Sequence, residues 1–300
     1  MKPVSTRASR RGHNEIRIGY LFILPGIIGF LTFVAYPLLS SVYYSMTEWS
    51  GFDTPKFVGL KNYVHMFTVD PLFWSSVRLT FLYAGLGVPL GLVLGLLLAL
   101  LLFKPIAGVK IFRTLFYLPV VLPAVASTTL WLFIYQPQYG LLNNVLRVFG
   151  IEGPDWLNDS KTAILSLVIL MLWGVGANMI IFLSGLQSVP NDIYESAQID
   201  GATKWGRFWH VTIPMITPIL LLQFITGLIN AFQAFIQPAL LNGSKDSVNP
   251  NINLMNFDIY RRAFGGHDFG YAMAEVWVLV VIILIVTIFA FRLNRYVHYQ

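Results

Sequence analysis

The chain has 300 residues, 56% of them hydrophobic and 11% charged, with a mean hydropathy of +0.66. Soluble domains carry roughly a quarter charged residues, so this composition excludes an ordinary soluble fold and points to a polytopic membrane protein. The net charge of +6 is a matter of placement, taken up below, and not a nucleic-acid footprint; the lack of cysteine excludes disulfide staples.

A hydrocarbon core of about 30 Å takes about 20 apolar residues of helix. Six segments qualify, near Tyr20–Tyr44, Thr80–Phe103, Ile111–Tyr135, Ala163–Leu186, Ile213–Ile236 and Ala272–Phe291. Strand alternation is absent, so helices are expected to satisfy the backbone in lipid, giving an all-α integral membrane protein of six transmembrane helices. The first run follows Arg7, Arg10, Arg11 and Arg17 in the manner of a secretory leader. It is longer than a signal core and has no small-x-small site before Tyr43 and Tyr44, so it reads as a retained span. The expected division is a tail of residues 1–17 and a six-helix domain over 18–300.

Lys and Arg density orients the spans. Residues 1–17, 103–113, 187–212 and 292–300 hold 12 such residues in 63 positions, whereas 46–78, 135–161 and 237–272 hold 8 in 96. Both termini and the 187–212 loop are therefore expected on the cytoplasmic side, where basic residues also meet anionic membrane lipid.

Inside the spans, Pro25 and Pro37 should kink the first and Pro119 and Pro123 the third. Gly87, Gly91, Gly95 and Ala99 recur every fourth residue on the second, a small-residue groove for close helix approach. On the fifth, Gln223, Thr226, Asn230, Gln233 and Gln237 step by three and four, which sets all five within an arc of roughly 80°. Phe224, Phe232 and Phe235 flank this stripe, and Asn178 lies mid-way along the fourth span. Amides and hydroxyls beside aromatic rings suit a neutral polyhydroxylated solute, and the same residue types serve as interhelical hydrogen-bonding glue. Both readings stand at this stage.

Ionisable residues are nearly missing from the spans: Glu275 sits near one end of the sixth and Arg113 near one end of the third. A proton- or ion-coupled carrier buries a titrating group near the midplane, and none is visible in these spans. An ion-coupled secondary carrier stays the alternative from another class because it would fit the spans and the polar stripe. No GxxxxGK[ST] loop, HExxH or His/Cys cluster occurs, so neither catalytic residues, a metal nor a bound cofactor is expected. Energy for transport must come from a partner.

The segment 190–214, PNDIYESAQIDGATKWGRFWHVTIP, is a polar knob between two apolar runs. Asp192 and Glu195 read as a capping-box variant with acids near a helix start. Gly201 reads as a helix stop, and Ala202–Val211 as a second helical piece running up to Pro214.

These residues resemble the EAA loop of ABC-importer permeases, with Glu195, Ala197, Asp200, Gly201, Ala202, Phe208, Ile213 and Pro214 in matching places. Ser196 replaces the second residue of that pattern and Thr212 stands before Ile213–Pro214, with Ile in place of the usual Leu; both departures are conservative in size. Further stretches (FVGLKNY, FRTLFYLP, YGLLNNVLR, FLSGLQSVP) extend the resemblance to the carbohydrate-uptake class of maltose and glycerol-phosphate type, first-permease kind. The resemblance implies the MetI-like fold, a second homologous permease subunit, two copies of an ABC ATPase that bind the ATP, and an extracytoplasmic solute-binding protein. It also implies a docking role for the loop. Glu195 would make charged contacts, Ile193, Tyr194 and Ala197 apolar ones, and Asp200–Gly201 the turn that aims the next helix. A sugar or oligosaccharide is the expected cargo. Glycerol phosphate or another polar solute is the alternative, because Arg261 and Arg262 lie near the outer mouth.

Overall fold

The structure is a computed structural model describing residues 7–104, 107–242 and 248–297. Residues 1–6, part of the expected tail, and residues 243–247 lie outside the described residues. Helix α1 (Arg7–Phe30), a π-helical turn at Leu31–Ala35 and α2 (Tyr36–Ser45) form the first rod. A two-residue antiparallel pairing, Thr47 with Phe57 and Glu48 with Lys56, is a small addition to the expected all-α architecture. Then follow α3 (Lys61–Thr68), α4 (Pro71–Phe103), α5 (Val109–Val121), α6 (Ala124–Ile134), α7 (Leu141–Val148), α8 (Ala163–Trp173) and α9 (Gly176–Gln187). The chain continues through α10 (Asn191–Ile199), α11 (Lys204–Arg207), a π-helical turn at Phe208–Thr212, α12 (Ile213–Phe232) and α13 (Ile236–Leu241). It ends with α14 (Met255–Tyr260), a third π-helical turn at Arg261–Gly265, and α15 (Phe269–Val297).

Four stretches are long and apolar enough to cross a membrane: Gly19–Ser45, Pro71–Phe103, Lys204–Leu241 and Phe269–Arg292. Two more crossings form if each bent pair counts as one, α5 with α6 (98°) and α8 with α9 (48°).

Of the four prolines expected to kink their spans, Pro123 stands at a sharp bend, 98° between α5 and α6. Pro25 and Pro119 sit inside continuous helix, and the break in the third segment falls at Leu122–Pro123. Pro37 and Pro214 each follow a π-helical turn by two residues. Proline lacks an N–H and crowds the carbonyl four residues back. A π turn carries one extra residue at that place, so the helix continues through it. Pro214 thus sits at the start of α12 and ends nothing. Helix α4 starts at Pro71, nine residues before the expected Thr80, because the Asp70 carboxylate caps it, accepting from the N–H groups of Leu72 (2.9 Å) and Phe73 (3.3 Å).

Two apolar cores stack along the bundle. The larger gathers α4, α6, α8, α12, α14 and α15 around Phe73, Tyr135, Leu167 and Met255. The smaller lies at the loop end, where Ala99 and Leu102 of α4, Phe182 and Leu186 of α9 and Ile216 of α12 meet. The small-residue groove of α4 packs as its spacing indicates, with Gly87, Gly91, Gly95 and Ala99 all buried. A Cβ at Gly95 would stand 2.6 Å from the Asn178 Cβ, so α9 approaches α4 as closely as glycine permits.

Candidate functional site

The knob between α9 and α12 is built by local backbone chemistry. The N-terminal residue of α10 is preceded by Pro190, and no side chain caps it. The expected capping box is therefore not formed: Asp192 lies within the first turn, where the helix dipole still favours a carboxylate, and Glu195 lies further along. The helix stops as expected. Gly201 adopts φ +80°, its N–H donates to the Gln198 carbonyl (3.1 Å), and the Ala202 N–H donates to the Ala197 carbonyl (2.9 Å). This pair of bonds is a Schellman motif, with Asp200 as the C-cap and glycine at the left-handed position. Two residues later Thr203 caps α11, its Oγ1 accepting from the Gly206 N–H (3.1 Å).

Side bonds tie α10 to the rod that follows. The hydroxyls of Tyr194 and Thr212 lie 3.0 Å apart, and Arg207 donates to the Gln198 Oε1 (2.9 Å). Tyr194 also packs against the loop-end core beside Ile213. Tyr194, Ala197, Ala202 and Phe208 are thus half-buried against the bundle, whereas Ile193, Glu195, Asp200 and Gly201 are exposed. Ile199 is 86% exposed and lies beside Glu195 on the open side, four residues along α10. Sequence reading missed Ile199, Thr203, Gln198, Arg207 and Thr212. The Thr203 signal was legible, a hydroxyl residue just before a helical run; the others act through tertiary contacts.

The polar stripe is broken. Helix α12 ends at Phe232 with Gln233 as its C-cap, and Gln237 belongs to α13. The cause is Pro238, which cannot accept the preceding turn as continuous helix. Gln223 and Asn178 come together, the Gln223 amide donating to the Asn178 Oδ1 (2.9 Å), and Asn178 nests against Gly91 and Gly95. This bond joins α9 to α12. The Thr226 hydroxyl donates to the Leu222 carbonyl (2.8 Å) within its own helix. Asn230 and Gln233 remain exposed, and the Gln233 carbonyl accepts from Asn256 (2.7 Å) beside the Phe235–Tyr260 ring contact (4.9 Å).

At the end of the bundle away from the loop, Arg261 and Arg262 are already engaged. Asp258, fully buried, accepts from Arg261 (2.6 Å), Arg262 (2.7 Å) and Asn253 (3.0 Å), and Arg262 also reaches Asp70. Burial alone would push the Asp258 carboxyl up, but the Arg262 charge and the three hydrogen-bond donors outweigh it and hold it below the ordinary 3.8. Among the described residues no group of three His, Cys, Asp or Glu could hold a metal ion.

Long apolar helices, packed through small residues and carrying an ordered polar knob at one end, define a polytopic membrane component. Residues 87–299 match the family described as binding-protein-dependent transport system inner membrane component, and the chain belongs to that family. It is 35% identical over 297 residues to the probable ABC transporter permease protein YesP of Bacillus subtilis (strain 168), covering 98% of this chain and 96% of that one. It is 31% identical over 291 residues to the trehalose/maltose transport system permease protein MalF of Thermococcus litoralis, covering 96% and 97%. The fold is also similar to a chain in the crystal structure of a bacterial ABC transporter involved in the import of the acidic polysaccharide alginate. There the TM-score is 0.82 at 24% identity, over 97% of this chain and 99% of that one. Family membership makes the chain a multi-pass inner-membrane permease subunit of an ABC transporter and not its ATP-hydrolysing part, working with an ATPase and a solute-binding protein.

Proposed function

We propose that this chain is one of two unlike permease subunits that together form the path of a sugar or oligosaccharide importer. It has six spans, with both termini and the 187–212 loop facing the cytoplasm. Two ATPase copies sit beneath the pair, and a solute-binding protein delivers cargo from outside. The observation that carries this reading is α10, held at a fixed angle by the Gly201 turn and by the Tyr194–Thr212 and Gln198–Arg207 bonds, with its acidic side open. Glu195 and Ile199 form the face an ATPase grips, with Ile193 at the edge of the docking surface. Tyr194, Ala197, Ala202 and Phe208 pass its movement into α12, Asp200–Gly201 sets the turn, and Pro214 marks where the rod enters the span.

The excess of Lys and Arg on the 1–17, 103–113, 187–212 and 292–300 segments supports the orientation. A neutral sugar is supported by the trehalose/maltose relative and by the uncharged Asn230 and Gln233, which with Thr226 and Gln237 line the path. An anionic cargo such as glycerol phosphate is the weaker reading, since Arg261 and Arg262 are spent on Asp258 and Asp70.

The test is uptake by proteoliposomes holding this chain, its partner permease, the ATPase and the binding protein. Labelled neutral oligosaccharides should enter with ATP, and glycerol 3-phosphate should not compete. Glu195→Lys should abolish uptake at unchanged membrane levels. Uptake that persists without the ATPase and collapses with the ion gradient would return the chain to the secondary-carrier class.

A further inference from the structure

Behind α10, on the side turned away from Glu195, lies an open groove of about 360 Å³ at the loop end of the bundle. Its floor is apolar, made by Leu100 and Phe103 at the end of α4, Leu186 at the end of α9, and Phe208. Its rim is basic, made by Lys104, Lys204 and Arg207. No acidic side chain lines it, and among the described residues none of these three cations pairs with an acid. We propose that this groove binds an anionic phospholipid of the adjoining leaflet, with the acyl chain on the floor and the phosphate against the lysines.

Position favours a lipid over a soluble anion. The groove opens where α4 and α9 end and α12 begins, so apolar and charged linings meet at the boundary a phospholipid itself spans. A free phosphate has nothing to place on Leu100, Phe103 and Leu186. Beside the groove Trp205 is 69% exposed and Trp209 51% exposed, and both rings pack on Phe208 (5.6 and 5.2 Å). Trp209 precedes the apolar run at Ile213 by four residues, about 6 Å of helix, which matches the headgroup layer flanking the hydrocarbon. Tryptophan beside basic residues is the usual composition at that depth.

Charge is segregated along the loop in the same sense. The three acids, Asp192, Glu195 and Asp200, all lie on or next to α10 and are exposed, whereas Lys204, Arg207 and His210 follow the turn. A negatively charged leaflet repels the first group and attracts the second. The loop therefore turns one face to a soluble partner and the other to the membrane. The leaflet is the cytoplasmic one if the orientation proposed above holds, but binding itself does not depend on it.

The test is native mass spectrometry of the purified complex, titrated in detergent with phosphatidylglycerol or phosphatidylcholine of the same acyl chains. Phosphatidylglycerol should be retained preferentially by the wild type. The double variant Lys104→Gln/Lys204→Gln should lose about 30-fold in that preference, about fivefold per lysine, with phosphatidylcholine retention unchanged. Arg207 is left intact because it also holds Gln198. Independently, photoactivatable phosphatidylglycerol should label wild-type peptides around residues 100–104 and 204–212. Equal retention of the two lipids, an unaltered preference in the double variant, or labelling confined elsewhere overturns the proposal. So does displacement by inorganic phosphate alone, which would make this a soluble-anion site, or loss of the lipid whenever the ATPase is bound, which would give the surface to that subunit.

Discussion

The bond between Tyr194 and Thr212 is the most direct test of how movement leaves the knob. It joins α10 to the base of α12 across 18 residues of chain, and Thr212 is only 6% exposed. In Tyr194→Phe the Thr212 hydroxyl keeps only a long 3.4 Å contact to the Arg207 carbonyl. A net hydrogen bond contributes about 0.5–1.5 kcal/mol, and a buried group left without a partner costs about 1–3 kcal/mol. A loss of about 1 kcal/mol shifts the balance between a seated and a released α10 by about fivefold. Reconstituted importer carrying Tyr194→Phe or Thr212→Val should therefore move several-fold less solute per ATP hydrolysed, while the ATPase itself still turns over. The double variant replaces both partners with apolar groups, which is close to neutral, so it should be no worse than either single change. Coupling of neighbours in such cycles reaches about 0.5–3 kcal/mol. Strictly multiplicative losses in the double variant, or an unchanged solute-to-ATP ratio in all three, would refute the reasoning.

Gly201 sits at φ +80° with nothing within 4 Å of where a Cβ would stand, so its substitution is strained by backbone conformation alone. Gly201→Val should lower the solute-to-ATP ratio more than Gly201→Asn, because asparagine tolerates the left-handed region and a β-branched residue does not. Gly95→Val should reduce the yield of folded protein in detergent by about 1–3 kcal/mol of overpacking against Asn178, measurable as a lower melting temperature. Asp258→Asn leaves Arg261 without its partner and Arg262 with fewer, and should destabilise by about 3 kcal/mol in thermal unfolding. Because the folded Asp258 carboxyl titrates below 3.8, its stabilising contribution is fully present above that value and is lost only as pH falls through the lower folded one. The melting temperature of the wild type should therefore fall in strong acid, and Asp258→Asn should lose the part of that fall that Asp258 contributes.

How far the chain could be read from its letters depends on whether the cause was local. The Gly201 stop and the four-residue spacing of Gly87, Gly91, Gly95 and Ala99 are short-range patterns, and both formed as read. The Asp70–Pro71 start of α4 and the Pro238 break after α12 were equally local but were masked by long hydrophobic runs that carry no boundary signal. Pro37 and Pro214 follow π-helical turns, where one extra residue makes room for the ring, whereas Pro123 stands at a 98° bend, so a proline's position in a span does not by itself fix which of the two occurs. The pairing of Gln223 with Asn178, 45 residues apart, and the binding of Arg262 by Asp70, 192 residues apart, could not be read from spacing at all. Both contacts depend on tertiary packing, which brings residues far apart in the chain to the same place.

The open part of the stripe bears on how one helix links the two ends. Asn230 and Gln233 stay open at the far end of α12, and Thr212 anchors its base to the knob. The 20 residues between them form a rod of about 30 Å. A tilt of about 10° at the base then carries Asn230 sideways by about 5 Å, more than the length of a hydrogen bond. Gln233 differs, because its carbonyl is tied to Asn256 in a segment that the Asp258, Arg262 and Asp70 contacts fasten to the ends of α4 and α15. Asn256→Ala should therefore loosen the far end without touching the knob. In the reconstituted importer it should raise the KM for solute while leaving the solute-to-ATP ratio near wild type, the opposite pattern to Tyr194→Phe. Identical behaviour of the two variants would mean that α12 does not separate a driven end from a cargo-facing end.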